Sequence, residues 1–322
     1  MHEKQFYSLG PGGFHRIAYT EWGQPSAQPP VICLHGLTRN GRDFDYLARA
    51  LEGDERQVFC PDIVGRGKSD WLANPANYNC AQYLADMAAL IARTGAESVD
   101  WVGTSMGGHI GMLLAAETNT LIRRLVLNEA GPFIPLIALK RRGAYAGQSP
   151  VFADLEGIEK YMREIYAPFG DLSDENWRHL ARYGARATPD NKLSLAWDPA
   201  IAKPFLAINQ DVDLWSAYDR IRCPVLLLHG LYSDVSAEGK TLVQGDRTER
   251  AKQALPQPGT GFLSLEDLGH FHLCSFRGVP TPVRFRCGSL FCSSEASNAW
   301  LPSRLLWLLH VRRLFTWLTP FI

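Results

Sequence analysis

Five residues, Gly103-Thr104-Ser105-Met106-Gly107, constrain this chain more than any other segment. They follow a short apolar run, Val99-Asp100-Trp101-Val102, and lead into a stretch from about Met106 to Ala116 that reads as a helix. A strand that turns sharply into a helix needs glycine two positions to either side of the turn residue, because bulkier residues would clash there. The turn lifts the central side chain clear of the sheet and points a helix N-terminus at it. Ser105 is therefore a candidate nucleophile, with Gly103 and Gly107 as the glycines of the turn. The N–H of Met106 is placed to stabilise an oxyanion. A glycine-rich turn with an incidental serine is the plainer alternative, and the strand before and helix after weigh against it.

The rest of the chain repeats the same alternation. Val31–Leu34 ends in His35-Gly36, Val58–Cys60 in Pro61-Asp62, Leu125–Leu127 in Asn128-Glu129, and Pro224–Leu228 in His229-Gly230. Runs this short and apolar on both faces suit strands buried in a parallel sheet. Between them Cys80–Arg93 spaces Tyr83, Leu84, Met87, Leu90 and Ile91 as one helical face, with Gly95 as a stop. Strand–helix alternation implies right-handed crossovers and an α/β fold with a doubly wound, mostly parallel sheet. From Phe133 to Ala207 the pattern becomes helical, with helices expected over Leu155–Tyr166 and Asp174–Arg186 and no strand between them. The expected organisation is a core over 1–132, a helical cap inserted at 133–207, the core resumed at 208–274, and an atypical tail over 275–322.

A lone serine hydroxyl is a poor nucleophile and needs a base and an orienting acid. Asp234 comes after the run Val225–Leu228, and His270 after Phe262–Leu265. Each therefore lies just beyond a strand's C-terminal end, where an open α/β sheet gathers its active site. The chain order Ser, Asp, His is the one a nucleophile turn of this type calls for. His272 competes with His270 as the base, and Glu129 with Asp234 as the acid. His35 and His229 each follow a strand, and a packing role is favoured for His229. Asp62–Asp70 holds two glycines but lacks the lysine and serine spacing of a phosphate loop, so it reads as a structural loop with Asp62 and Asp70 bracing its turns.

The chain resembles the α/β-hydrolase superfamily, in the branch of the serine esterases and related carbon–carbon bond hydrolases. The resemblance rests on His35-Gly36-Leu37, Asp62-Ile63-Val64-Gly65-Arg66-Gly67-Lys68-Ser69-Asp70, Gly103–Gly108, Ser233-Asp234 and Gly269-His270, which together span residues 31–271. It implies that Leu37 supplies the second oxyanion N–H, and that 133–207 is the cap shaping the substrate pocket. It implies a hydrolase acting through an acyl-enzyme on Ser105, with a small carboxylic ester, lactone or hydroxyacid oligomer as substrate. Cofactor-free cleavage of a carbon–carbon bond beside a ketone is the alternative chemistry, and a binding protein that has lost catalysis is a second. Trp177, Tyr183, Trp197 and Phe205 are candidates for an apolar acyl pocket, or else plain cap packing.

Composition narrows the partners. Lysine plus arginine and aspartate plus glutamate number 33 each, so no global field draws the chain to nucleic acid or an anionic membrane. The seven cysteines show neither a metal-ligand spacing nor a disulfide framework, and Cys33, Cys60 and Cys223 fall in or beside apolar runs as small hydrophobes. Neither cofactor nor metal is expected. The first residues carry no apolar leader, which makes a cytoplasmic setting the default expectation. The sequence carries no signal of oligomeric state. Residues 275–322 depart from the rest, with six arginines against one glutamate and two prolines and two glycines early on. Leu301–Pro320 resumes helical spacing, but Arg304, His310, Arg312 and Arg313 interrupt it too closely for a membrane span. An interfacial basic helix is one reading of this tail, and a shifted reading frame just past His270 is the reading the sequence favours.

Overall fold

The computed structural model describes residues 1–169 and 172–230 and the strands at 261–265 and 285–287. The chain opens with β1 (His2–Gly10) and β2 (Gly13–Trp22), followed by β3 (Val31–Leu34), α1 (Asp45–Gly53) and β4 (Val58–Pro61). Next come α2 (Cys80–Thr94), β5 (Val99–Thr104), α3 (Met106–Ala115) and β6 (Ile122–Asn128). The insertion carries β7 (Phe133–Ile134), α4 (Leu136–Ala146), β8 (Val151–Phe152), α5 (Leu155–Ile165) and α6 (Asp174–Tyr183). It continues with β9 (Ala185–Ala187), β10 (Leu193–Leu195), α7 (Ala202–Ala207) and β11 (Val212–Asp213). The core resumes with α8 (Trp215–Tyr218), β12 (Val225–Gly230), β13 (Gly261–Leu265) and β14 (Phe285–Cys287).

The large sheet has nine strands in the order β1-β2-β4-β3-β5-β6-β12-β13-β14. Its middle, from β4 to β13, is parallel, while β1, β2 and β14 join antiparallel at the two edges. Alternate residues of the central strands face opposite ways, as a pleated strand requires. Val31, Cys33, Val58 and Cys60 pack with Leu47, Ala48 and Leu51 of α1. Ile32, Leu34, Phe59 and Trp101 belong to the opposite cluster, with Met87 and Leu90 of α2 and Ile110 of α3. Helices thus cover both faces, which makes the sheet doubly wound. Asn79 caps α2 through its side chain, and Gly95 closes it with φ 68°, a left-handed conformation that favours glycine. Cys33, Cys60 and Cys223 are buried free thiols.

The structure departs from the sequence pattern at three points. The N-terminal hairpin β1–β2 was not anticipated: β1 reads mostly polar because its burial is confined to Phe6 and Ser8. The insertion is not purely helical either. It carries a three-stranded antiparallel sheet, β8-β10-β9, and β7 pairs with β11 across its base. These strands are two or three residues long, too short for an alternation to register in sequence. The helix expected to run to Arg186 stops at Tyr183, because Ala185–Ala187 turns into β9. The tail contributes β14, which pairs with β13 at the sheet's edge.

Candidate active site

The turn between β5 and α3 passes directly from strand to helix at Ser105. Ser105 stands there with φ 51° and ψ −115°, a backbone conformation that L-residues rarely adopt. Two backbone bonds hold it: its N–H donates to the Asn128 carbonyl at 2.8 Å, and its carbonyl accepts from the His109 N–H at 3.0 Å. The flanking glycines leave no room for a side chain. A β-carbon on Gly107 would overlap the carbonyl oxygen of Leu34, and one on Gly103 would overlap the Gly107 backbone. Below the turn the Trp101 indole N–H donates to the Gly107 carbonyl at 3.0 Å, anchoring the first turn of α3 to β5.

The turn bearing Leu37 lies against this serine. A β-carbon on Gly36 would stand 3.7 Å from Ser105 Cβ. His35, fully buried, stiffens the turn from both ring nitrogens: Nε2 accepts from the Ile63 N–H at 2.9 Å, and Nδ1–H donates to the Gly36 carbonyl at 2.7 Å. That pairing fixes a neutral tautomer. Burial, aided by the charge of Arg66, pushes the imidazole down to about 3. With both nitrogens engaged, His35 is a brace rather than a base. The same turn meets the insertion, where Thr38 Oγ1 shares a 3.1 Å hydrogen bond with the Tyr166 hydroxyl. Arg39 forms a bidentate pair with Asp43 at 2.6 and 2.9 Å and lies over the Tyr166 ring.

Asp62 and Asp70 brace the loop between β4 and α2. The Asp62 carboxylate accepts from the N–H groups of Gly41 and Lys68, each at 2.8 Å, and burial raises it to about 6. Asp70 accepts from the backbone and side chain of Arg16. Glu129 follows β6 with φ 52°, its N–H bonded to the Leu228 carbonyl at 3.0 Å. Trp177 and Trp197 are buried in the core cluster, and the Trp197 indole donates to the Ala146 carbonyl, so both serve packing.

The structure therefore brings Gly103, Ser105, Met106, Gly107 and Leu37 into one place. Asp234, His270 and the competing His272 lie outside the described residues. The strands that precede them in sequence, β12 and β13, run parallel to β6, and Leu228 is in register with Asn128 beside the serine turn. Arg66 lies in the segment Asp62–Asp70, which reads in sequence as a structural loop. It is fully buried at the back of the site, and its Nε–H donates to the Leu37 carbonyl at 2.9 Å. The one signal in sequence is an arginine set between two glycines.

Comparison with known proteins gives the fold a family. The sequence profile of the α/β hydrolase fold matches residues 29–149. A 3-hydroxybutyrate-oligomer hydrolase of Cupriavidus necator is 43% identical over 236 residues, covering 70% of this chain and 80% of that protein. A 2-(acetamidomethylene)succinate hydrolase of Mesorhizobium japonicum is 27% identical over 203 residues, covering 63% of this chain and 70% of that protein. Among solved structures, an α/β hydrolase from Novosphingobium aromaticivorans superposes with a TM-score of 0.70 at 32% identity, covering 84% of this chain and 93% of the other. With its doubly wound sheet and strained strand–helix turn, the chain belongs to the α/β-hydrolase family and is a hydrolase.

Proposed function

We propose that this hydrolase cleaves esters of short hydroxyacid oligomers through an acyl-enzyme on Ser105, with oligomers of 3-hydroxybutyrate as the leading substrate. The observation that carries the reading is Ser105 itself, held at φ 51° between a strand end and a helix N-terminus. The turn is flanked by glycines that admit no β-carbon, and it lies against the Leu37 loop. The substrate follows from the name of the Cupriavidus necator relative, which is 43% identical.

In the proposed reaction His270 takes the proton of Ser105 Oγ as the Oγ–carbon bond forms, and Asp234 orients the imidazole. The carbonyl oxygen becomes an oxyanion facing the N–H groups of Leu37 and Met106. The helix N-terminus at Met106 adds its partial positive charge to that position. Collapse breaks the bond to the alcohol oxygen, which leaves with the proton from His270. Water, deprotonated by His270, then releases the hydroxyacid and restores Ser105. The segment 133–207 acts as the cap over this site, joined to the oxyanion turn through Tyr166 and Thr38. No helix among the described residues is long and apolar enough to cross a membrane.

The test compares wild type with Ser105→Ala on the linear dimer and trimer of 3-hydroxybutyrate and on 4-nitrophenyl butyrate. Wild type releases monomer, and the variant loses about a thousandfold or more in kcat, as removal of a triad nucleophile does. Oligomer cleavage that survives in Ser105→Ala would overturn the reading.

A further inference from the structure

Arg66 is fully buried in the core, with no exposed surface. Among the described residues no carboxylate pairs with it. Its acceptors are neutral: Leu37 O at 2.9 Å from Nε, and Val64 O at 2.7 Å and the Tyr83 hydroxyl at 3.0 Å from Nη1. Nη2 points to the Met106 sulfur at 3.8 Å, and the guanidinium lies over the rings of Tyr83 and Tyr78 at 5.1 and 5.9 Å. A charge taken from water into such surroundings costs several kcal/mol unless it is compensated. Joining two loops requires no charge, since a neutral donor could do it. The cation therefore calls for an explanation beyond packing.

Its contacts supply one. The two residues whose N–H groups face the oxyanion, Leu37 and Met106, are the two that this guanidinium grips from behind. They come from separate segments, the turn after β3 and the start of α3, and their spacing must be right before any substrate arrives. The arginine is itself clamped. On either side of it the Gly67 N–H donates to the Ala196 carbonyl at 2.7 Å, and the Asp198 N–H donates to the Gly65 carbonyl at 2.8 Å. Burial is the main cause of the lowered proton affinity of His35, two residues before Leu37, and the Arg66 charge acts in the same direction.

We propose that Arg66 is the positioning residue of the oxyanion hole: one buried guanidinium sets the Leu37 and Met106 donors at a common distance and places its charge behind the developing oxyanion. Arg66 does not touch the substrate, and this role rests on the serine-hydrolase reading above. Because the oxyanion exists only in the transition state, loss of Arg66 acts on kcat and leaves ground-state binding alone.

The experiment uses the full chain as wild type, Arg66→Lys, Arg66→Met and Ser105→Ala. Each is assayed on 4-nitrophenyl butyrate, titrated with butylboronic acid, which forms a tetrahedral adduct on a serine, and followed by thermal melting. Arg66→Met is expected to lower kcat about a hundredfold, the scale of a lost oxyanion donor, with KM within about threefold. Boronate affinity should fall in parallel with kcat. Arg66→Lys keeps the charge but cannot grip Leu37 and Met106 together, and should fall between the two. If Arg66→Met does not fold, Arg66→Lys decides, with about a tenfold loss in kcat at constant KM expected. Wild-type kcat in a folded Arg66 variant, or a loss carried by KM with boronate affinity unchanged, overturns the positioning role alone. Activity that survives in Ser105→Ala overturns the serine reading and this role with it.

Discussion

The backbone N–H of Ser105 donates to the carbonyl of Asn128 at 2.8 Å, so the serine turn is bonded to the end of the neighbouring strand. This bond, with the one from His109 N–H, holds Ser105 at φ 51° against the preference of any residue with a β-carbon. Strain of this kind is a measurable quantity. Ser105→Gly and Ser105→Ala should both abolish hydrolysis, but Ser105→Gly should be the more stable by about 1 kcal/mol, since glycine alone adopts this φ without penalty. Urea unfolding of the two inactive variants is the measurement. Equal stabilities would mean that the turn is unstrained.

The glycine two residues further on is fixed by contact rather than by torsion. A β-carbon at position 107 would run into the Leu34 carbonyl and approach the His35 carbonyl to 2.8 Å, and neither backbone atom can swing away. Gly107→Ala must therefore push α3 off β3 and separate Ser105 from the Leu37 turn. A stability loss of about 3 kcal/mol or more is expected, together with loss of activity. The check is a melting curve beside an active-site titration with a fluorophosphonate. Near-wild-type values in both would show that the helix is not seated as described.

How much of this could be read from sequence depended on the length of the signal. β3, β5, β6 and β12 carry short apolar runs that end in, or are followed by, small or polar residues, so those runs stand out. The Ser105 turn was legible because sterics leave glycine alone at 103 and 107. β1 was missed because an edge strand with one covered face shows few apolar residues, and Tyr7 and Leu9 remain exposed. β8, β9 and β10 are too short for any period to appear. Arg66 was missed because the meaning of its charge depends on Leu37 and Met106, which are distant in sequence and meet only in the fold.

His35 couples stability to pH. Its folded value is depressed to about 3, so the folded protein stays neutral there while the unfolded chain, near 6.5, takes up a proton. Its contribution is therefore complete above about pH 6.5 and is lost as pH falls from there towards 3. At pH 5 the loss amounts to about 2 kcal/mol relative to pH 7. Asp62, raised to about 6, works in the opposite direction over much of this range, so the wild-type profile is a sum. The difference between wild type and His35→Asn isolates the histidine. That variant is less stable throughout, but its drop between pH 7 and pH 5 should be smaller by about 2 kcal/mol in urea titrations. Parallel profiles would mean that the imidazole is solvated or charged in the fold.

The insertion is fastened to the core through Tyr78. Its hydroxyl donates to Asp198 Oδ2 at 2.6 Å and accepts from the Leu72 N–H at 2.7 Å. Asp198 follows β10 within the insertion, and its other oxygen accepts from the Ala200 N–H at 2.9 Å. Burial and the neighbouring carboxylate push the phenol well above its usual range, so it stays a donor across the working pH. Tyr78→Phe keeps the ring beside Gly65 and Arg66 but strands the Leu72 N–H and one carboxylate oxygen. A loss of about 1–3 kcal/mol in stability follows from leaving buried polar groups unpaired. The same segment clamps the Arg66 loop through Ala196 and Asp198, so kcat should fall by a few fold while KM for 4-nitrophenyl butyrate holds. Asp198→Asn keeps an acceptor for Tyr78 and should restore most of both quantities in comparison. If Tyr78→Phe melts and turns over as wild type does, the insertion is held by its apolar contacts with the core and not by this junction.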